Sequence, residues 1–522
     1  MKTRCMASRL ARNETLILSN RWTRILLLAV FGMLFGTPYA VALNQTYYVD
    51  NSSSGANLGT QADPFHTITQ SLIVLDRGDT VIVVGDSEVS PRLYSERLDF
   101  GLTSNSGTVA EPITLRAEPR RSAIIYGAET DGIDNLVLES FQITIPEALI
   151  DIEPNAQYAL YIRSDNATIR DNFFFDVPGV GIRSDNDIPY HTGGHIVGNH
   201  LFRCGMGMVL FADDWLVEEN EIERLVQNPT IGFDADYTRG FGSDITFRKN
   251  YFHGTQEAEI GGSHTDGFQS FALDGKILHR FTFESNIVTD MDQGVILESQ
   301  DGLGAVDTIV IRNNVFDSGG FNGAYAVLGK WELTNLTISH NLISNMNLHG
   351  VFMRFGAGAI ITNNIFYNAG ANYHADIESC IGGGYNIINE ESYPYYSHST
   401  DIVGVDPGFL NTNNWVGDDG IPFTSDDGYR LVLGSPAIDA AYDVGVTLDL
   451  FDTPRPQQSG GGFDIGPHEY PSSAPPPSGG PALAPPSECI RVVSAATPVT
   501  VALSVLLVLL LATSTRRLAR TR

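Results

Sequence analysis

Lysine is nearly missing from the middle of this 522-residue chain: between residues 43 and 490 it occurs only as Lys249, Lys276 and Lys330. Eleven of the 32 basic residues lie in 1–42 and 491–522, but only Glu14 of the 61 acidic ones does, so the body holds 60 acids against 21 bases and a charge near −39. Such a body argues against nucleic acid as a partner and makes divalent cations the better expectation. Cysteine is also scarce. Only Cys204 and Cys380 lie well inside the body, too few for a disulfide framework, and both are expected as core residues. Helical periodicity is absent from the body, as is the leucine-dense consensus of a horseshoe repeat. With 43% hydrophobic and 18% charged residues the chain is nevertheless globular, not disordered.

The two ends read as targeting segments. Lys2, Arg4, Arg9, Arg12, Arg21 and Arg24 precede an apolar run from Ile25 to Phe35, and Ala40-Val41-Ala42 supplies a small-x-small cleavage pattern. The run is shorter than the roughly 20 residues a membrane span needs, so residues 1–42 are expected to be a signal peptide. Residues 471–487 are a Pro-rich linker. Residues 488–522 combine an apolar stretch with Arg516, Arg517, Arg520 and Arg522, the arrangement of a membrane-held tail whose arginines stay cytoplasmic. This tail resembles bacterial C-terminal sorting signals, which implies a processing enzyme; a plain membrane anchor is the alternative. Both place the body outside the cell, attached to its surface.

Within the body an asparagine motif recurs. It appears as Ile169-Arg170-Asp171-Asn172-Phe173-Phe174 and returns at Asn199, Asn220, Asn250, Asn286, Asn314, Asn341, Asn364 and Asn386, at intervals of 27, 21, 30, 36, 28, 27, 23 and 22 residues. Self-similarity at this period means stacked coils. The segments between are short and rich in Ile, Val and Phe, as in Ile309-Val310-Ile311. Asn suits a bend because it tolerates left-handed backbone angles, and stacked asparagines can bond in a ladder. A β-sandwich would not keep Asn in register over nine turns. The expected fold is all-β: a right-handed parallel β-helix of about ten coils over 43–400, closed at its C-terminal end by 401–470.

Several segments then resemble a known group. Tyr47-Tyr48-Val49-Asp50 and the run Gly59 to Ile68 are similar to the opening of pectate-lyase-like β-helix proteins, as are Gly78-Asp79-Thr80-Val81 and Pro112-Ile113-Thr114-Leu115. Asp406-Pro407-Gly408-Phe409, Ser435-Pro436-Ala437-Ile438-Asp439 and Phe463 to Glu469 resemble a closing region called a choice-of-anchor domain. The resemblance implies a fold and leaves the reaction open, because that superfamily holds lyases, hydrolases, epimerases and non-enzymes.

If each coil restarts at a Gly-apolar pair, alternation along the strand places Asp234, Asp236, Asp266, Gln269 and Glu298 on three consecutive coils of one face, with Gln293 and His349 at the preceding corner. The two longest connections from Asn to strand start, 12 and 17 residues, belong to the coils holding these acids. Long loops beside acids would wall a groove. His264-Thr265-Asp266-Gly267-Phe268-Gln269 resembles the Asn-Thr-Asp-Gly-x-Asp strand of polygalacturonase-type glycoside hydrolases. Gln269 replaces the second acid of that pattern, and His349-Gly350 comes one coil late, so that family's residue set is incomplete. Lys276 and Lys330 stand out through the rarity of lysine, and Phe271, Trp331 and Phe352 are candidates for stacking on sugar rings. An Asp-Gly corner is also an ordinary turn, and outward acids on an acidic body are commonly a solvated face.

Two function classes follow. The first is a surface-attached carbohydrate-active enzyme, acting as a monomer on an extracellular, acidic polysaccharide. A lyase would neutralise the uronate carboxyl with Ca²⁺ on Asp234, Asp236 and Asp266 and take the adjacent proton with Lys330, His264 or Arg354; a hydrolase would draw two carboxylates from Asp234, Asp266 and Glu298. His349 and Gln269 complete the candidates. A second Ca²⁺ expectation rests on Asp418, Asp419, Asp426 and Asp427, closely spaced acids among Gly turns. The other class is a non-catalytic glycan-binding stalk or adhesin.

Overall fold

The structure, a computed structural model, describes residues 44–471 and 485–488 except 154, 272–276, 300–305, 320, 332, 377–378, 390–396 and 458–460. The expected signal peptide, most of the linker, the tail and Lys276 lie outside the described residues. No described helix is long and apolar enough to cross a membrane.

The body is a right-handed parallel β-helix. One middle coil shows the unit: a front strand (Thr238–Ser243), a side strand (Thr246–Arg248) and a back strand (Tyr251–His253), each paired in parallel with its equivalent in the next coil. Front and side strands merge into one 25-stranded sheet, and the back strands form a 13-stranded sheet. Thirteen back strands make the solenoid longer than the Asn motif implied. The first three of them, at Arg92–Leu93, Ala123–Ile125 and Gln142–Ile143, precede the first motif Asn and turn without it.

Alternation builds the core. In Phe173–Phe175, His200–Phe202 and Tyr251–His253 only the middle residue is buried, and Phe174, Leu201 and Phe252 stack inside. Phe247, Phe268, Phe281 and Phe283 fill the middle coils, with Phe268 and Phe281 stacked at 4.2 Å. Truncating such a side chain to Ala costs about 3–5 kcal/mol.

The asparagines form the expected ladder. Each amide Nδ2 from Asn172 to Asn364 donates to the next Asn Oδ1 at 2.9–3.2 Å, and that oxygen also accepts the backbone N–H of the earlier Asn, as Asn286 does for Asn250 at 3.0 Å. The left-handed backbone, however, falls one residue earlier, on Asp171, Gly198, Glu219, Lys249, Ser285, Asn313, His340, Asn363 and Tyr385. Asparagine is therefore present for its amide, while the strained angle is carried by whichever residue precedes it.

Residues 401–470 do more than close the end. Ile402–Val403 adds the last back strand, but Tyr429, Leu431, Ala437, Leu450 and Ile465 pack along the back sheet on Ile287, Val315, Leu342, Ile365 and Ile387. This segment runs back along the solenoid because those five outward positions are apolar and need cover. Its Phe463 to Glu469 motif has a packing role: Arg455 is fully buried against Glu469 at 3.0 Å, and His468 Nδ1 accepts the Leu431 N–H. Cys204 and Cys380 are both buried, as expected, and Cys380 is in addition disulfide-bonded, with no described partner cysteine since Cys204 is free. One further expectation is corrected, since the end of the linker is docked on the solenoid: Ser487 and Gly383 exchange two backbone hydrogen bonds of 2.9 Å.

Candidate functional site

At the corner where the back strand turns into the front strand, register aligns one column of residues. Asp266, Gln293, Tyr325 and His349 are successive partners, and Asp236 precedes them, its Oδ1 accepting the Asp266 N–H at 3.1 Å. Asp236 and Asp266 are both fully buried. His264 sits over them, Nδ1 at 3.1 Å from Asp266 Oδ1 and 3.8 Å from Asp236 Oδ1, its side chain 38% exposed. Arg239 closes the other side: Nε donates to Asp236 Oδ2 at 2.6 Å and Nη2 to Asp234 Oδ2 at 2.7 Å. The loops 226–237 and 254–265 flank this corner.

The electrostatics follow from burial. Desolvation pushes the carboxyls of Asp236 and Asp266 up, and each is held back by Arg239 and His264. Two buried carboxylates this close share a proton more readily than both ionise. His264 moves the other way to the same end: its contact with Asp266, against the cost of burial, pushes the imidazole up to about 9. Half-buried Asp292, one coil on, is raised by burial and then by Asp266. Asp266 Oδ2 and Gln269 Oε1 are buried and accept no hydrogen bond among the described residues. A group aimed inward without a partner is unusual in a folded protein and is a mark of a functional site.

The remaining sequence candidates are on the same front face but elsewhere. Glu298, Lys330 and Arg354 are in register on three successive coils; Lys330 is ion-paired with Glu298, and Arg354 lies over the rings of Phe352 at 5.3 Å and Phe355 at 4.7 Å. His349 is three coil steps from Asp266, about 14 Å at 4.8 Å per step, stacked between Tyr325 and His374 at 5.9 and 5.5 Å. Burial lowers its pKa.

One expectation is corrected here. Asp234 and Asp236 do not point outward from a strand: Gly232-Phe233 is in a loop, and the strand begins at Thr238. That start seats Arg239 on the outward position opposite Gln269, a residue the column analysis missed together with Asp292. Of the three acids expected to hold Ca²⁺, Asp234 and Asp236 are bridged by Arg239, while Asp236, Asp266 and His264 each bring a ligand atom within 4.8 Å of the others, a mixed nitrogen and oxygen set where Ca²⁺ takes six to eight oxygens. In the acidic loop Asp426 Oδ2 accepts the N–H groups of Asp418 and Asp419 at 2.6 and 3.3 Å, Asp419 Oδ1 that of Ile421, and Asp427 Oδ2 that of Thr424. These carboxylates close turns of their own loop.

Comparison with known proteins agrees with the fold. A family described as right handed beta helix region matches residues 274–390. No curated protein matches the chain. Among solved structures, the complex of XylC with xylose superposes with a TM-score of 0.54 at 12% identity, over 81% of this chain and 98% of that one. The pectate lyase Pel9A gives 0.49 at 14% identity over 82% and 97%, and the PL6 family alginate lyase AlyGC 0.40 at 16% over 67% and 53%. At such identities the likeness is one of fold, and it defines the chain as a parallel β-helix protein.

Proposed function

We propose that this chain is an exported, surface-held carbohydrate-active enzyme that cleaves an extracellular acidic polysaccharide by lyase chemistry at the Asp236–Asp266–His264 corner. The observation that carries this reading is the half-exposed imidazole clamped over two fully buried carboxylates. Burying like charges together is costly to the fold, and a plain turn has no need of it. With a pKa near 9, His264 is an imidazolium at neutral pH. Together with Arg239 it supplies the positive charge that a uronate carboxyl requires while the proton beside it is removed. Asp292, made more basic by burial and by Asp266, is the carboxylate placed to take that proton, in place of Lys330 and Arg354, which are engaged elsewhere. The Arg354–Phe352–Phe355 platform, three coils from Asp266, would hold a further sugar of the polymer. No Ca²⁺ enters this reading.

Export is supported by the Cys380 disulfide, a bond that persists in oxidising compartments, and by the basic N-terminus. Deleting 488–522 is expected to release the protein into the medium.

The test is a panel of uronate polymers followed by the ultraviolet absorbance of unsaturated products. Turnover that falls about 10²–10⁴-fold in H264Q and D292N, in protein whose circular-dichroism spectrum matches the wild type at the assay temperature, supports the assignment. New reducing ends without that absorbance would mean hydrolysis. Binding without product would favour the second reading, a glycan-binding surface protein, for which the Tyr325–His349–His374 stack beside Phe352 and Arg354 is the observation.

A further inference from the structure

The outer side of the front sheet carries an apolar cluster separate from the solenoid core. On the strand Met206–Asp213 the side chains of Met208, Leu210 and Ala212 enter the core, while Val209 and Phe211 between them face out. They join Tyr158 on an earlier coil and Phe241 on the next, with the rings of Phe211 and Phe241 stacked at 4.8 Å. Two loops cover the cluster: the ring of Phe233 lies 6.4 Å from that of Tyr158, and the ring of Tyr190 5.9 Å from that of Phe211. A cation, Arg183, is set among these rings. It follows the core residue Ile182 and so points out, and its guanidinium carbon stands 4.9 Å from the Tyr158 ring and 5.2 Å from that of Phe211.

In a body with 60 acids against 21 bases an arginine is ordinarily taken by a carboxylate. Among the described residues every arginine except Arg183, Arg354 and Arg430 is in an ion pair, and Arg430 donates to the Thr424 carbonyl at 3.2 Å. The Arg183 Nε is buried and donates to no described residue. Arg97, Arg116 and Arg455 also leave a buried Nε idle, but each pairs with an acid through its other nitrogens. Asp185, the acid nearest to Arg183 in sequence, accepts the Tyr161 hydroxyl at 3.0 Å and Arg163 Nε at 3.2 Å. A donor shut from water without an acceptor is costly to a fold and calls for a purpose outside packing. Register gives its position. Arg183, Val209, Arg239 and Gln269 are successive outward partners, so Arg183 lies three coils before the coil of Asp266, and Arg354 lies three coils after it. Each is about 14 Å from the corner along the axis at 4.8 Å per step.

We propose that Arg183 is a carboxylate-binding subsite, which takes a uronate of the polymer several sugars away from the bond that is broken. The subsite rests on the reading that the front face takes an acidic polysaccharide, and not on lyase chemistry at the corner. A planar guanidinium offers two parallel N–H groups to one carboxylate. The rings of Tyr158 and Phe211 hold this one in place and keep it from swinging to one of the body's own acids. On a body of charge near −39 an acidic polymer is repelled wherever no cation is set out for it, so the arginines without an acid decide where it lies. With Arg183 before the corner and Arg354 after it, the polymer runs along the solenoid axis. An oligomer too short to reach from the corner to Arg183 lacks one anchor.

The test is calorimetric binding of galacturonate, mannuronate and guluronate oligomers of increasing length to the full chain carrying D292N, with and without R183Q. For at least one series, affinity is expected to step up at least tenfold at the length that reaches Arg183, and R183Q is expected to remove the step. Carboxyl-reduced oligomers of the same lengths are expected to show no step. R183K keeps the charge and loses the planar fork; it is expected to fall between the two and serves if R183Q folds poorly. Cleavage by D292N would count against the base assigned above, and the comparison would then be read as KM instead of affinity. A step undiminished in the variant tested, an equal loss with carboxyl-reduced oligomers, or no binding by any of the three series would each overturn the subsite. Loss of the step in R183Q without unsaturated product from the wild type would keep the subsite and remove the lyase reading.

Discussion

Each coil of this solenoid turns at two corners of opposite character. At the corner before the back strand the same residue recurs nine times from Asn172 to Asn386, buried, with its amide donors and acceptor all engaged. At the corner after it the equivalent column reads Asp236, Asp266, Gln293, Tyr325 and His349, five side chains with four chemistries, and a carboxylate oxygen of Asp266 is left unpaired. In a structure built by stacking, repetition is what stability asks for. A position that stops repeating while staying in register is free to serve something else, and an unsatisfied buried acid there is not something folding would select.

The largest effect expected from breaking this contrast is on turnover. H264Q removes the imidazolium and should cost about 10²–10⁴-fold in kcat, about 3–5 kcal/mol of barrier, measured on the folded fraction, and it should also lower the urea midpoint, because the cation facing Asp266 and Asp236 is lost. N250A should spare turnover. It removes the acceptor of the Asn220 N–H and one acceptor of its Nδ2, and the side-chain donor to the Val217 carbonyl and to Asn286 Oδ1, which keeps only the Asn250 N–H, a loss of about 3–5 kcal/mol in unfolding free energy, with the folded fraction still active. The pH dependence of stability separates the corners more finely. Groups whose pKa is raised on folding stabilise when protonated. His264 therefore contributes fully below its unfolded value near 6.5 and loses that contribution as pH rises through about 9; Asp236 and Asp266, also raised, contribute below the ordinary carboxylate range and lose it as pH climbs above about 4. Melting temperatures should fall with rising pH across this range, and the slope should flatten in D236N but not in a ladder variant. The smallest effect belongs to the acidic loop. Asp418 uses its backbone N–H rather than its carboxylate, so D418N should shift stability by no more than about 0.5 kcal/mol, and a chelator should leave turnover in place.

The fold was legible because its signal is long-range. Nine asparagines at 21–36-residue spacing fix a stack whatever the lengths of the loops between them. The second corner was legible only in part. Asp266 and His349 could be placed because a glycine follows each and opens the strand interior. Asp236 is followed by Tyr237, and the preceding Gly232 offered a false start inside a long loop. Once the strand was set six residues early, Arg239 vanished from the outward column and two acids that it bridges looked available to Ca²⁺. No local pattern tells a carboxylate that binds a cation from one that closes a turn, as Asp426 does. The disulfide of Cys380 was illegible for a different reason: the other cysteine of the body, Cys204, is free and buried, so nothing in the body's own cysteine spacing announces the bond.

The asparagine ladder also has a direction. Every amide hands one Nδ2 hydrogen to the Asn of the next, C-terminal coil and turns its oxygen toward the N-terminal side, while the second hydrogen goes back to a carbonyl of the preceding coil, beginning where Asn172 Oδ1 accepts the Phe141 N–H at 3.0 Å. Aligned peptide dipoles give a helix a positive and a negative pole, and nine amides in file do the same for this solenoid, inside the protein and along its axis. The positive pole emerges after Asn386, and there the tenth position is held by an acid: Asp401 Oδ1 accepts both the Nδ2 and the N–H of Asn386 at 3.0 and 2.9 Å, while its second oxygen takes the His398 N–H at 2.8 Å and the Tyr373 hydroxyl. A carboxylate has no hydrogen to hand on, so Asp401 ends the file as an anionic cap ends a helix at its N-terminus, and the polarity of the stack fixes the end at which such a cap can stand.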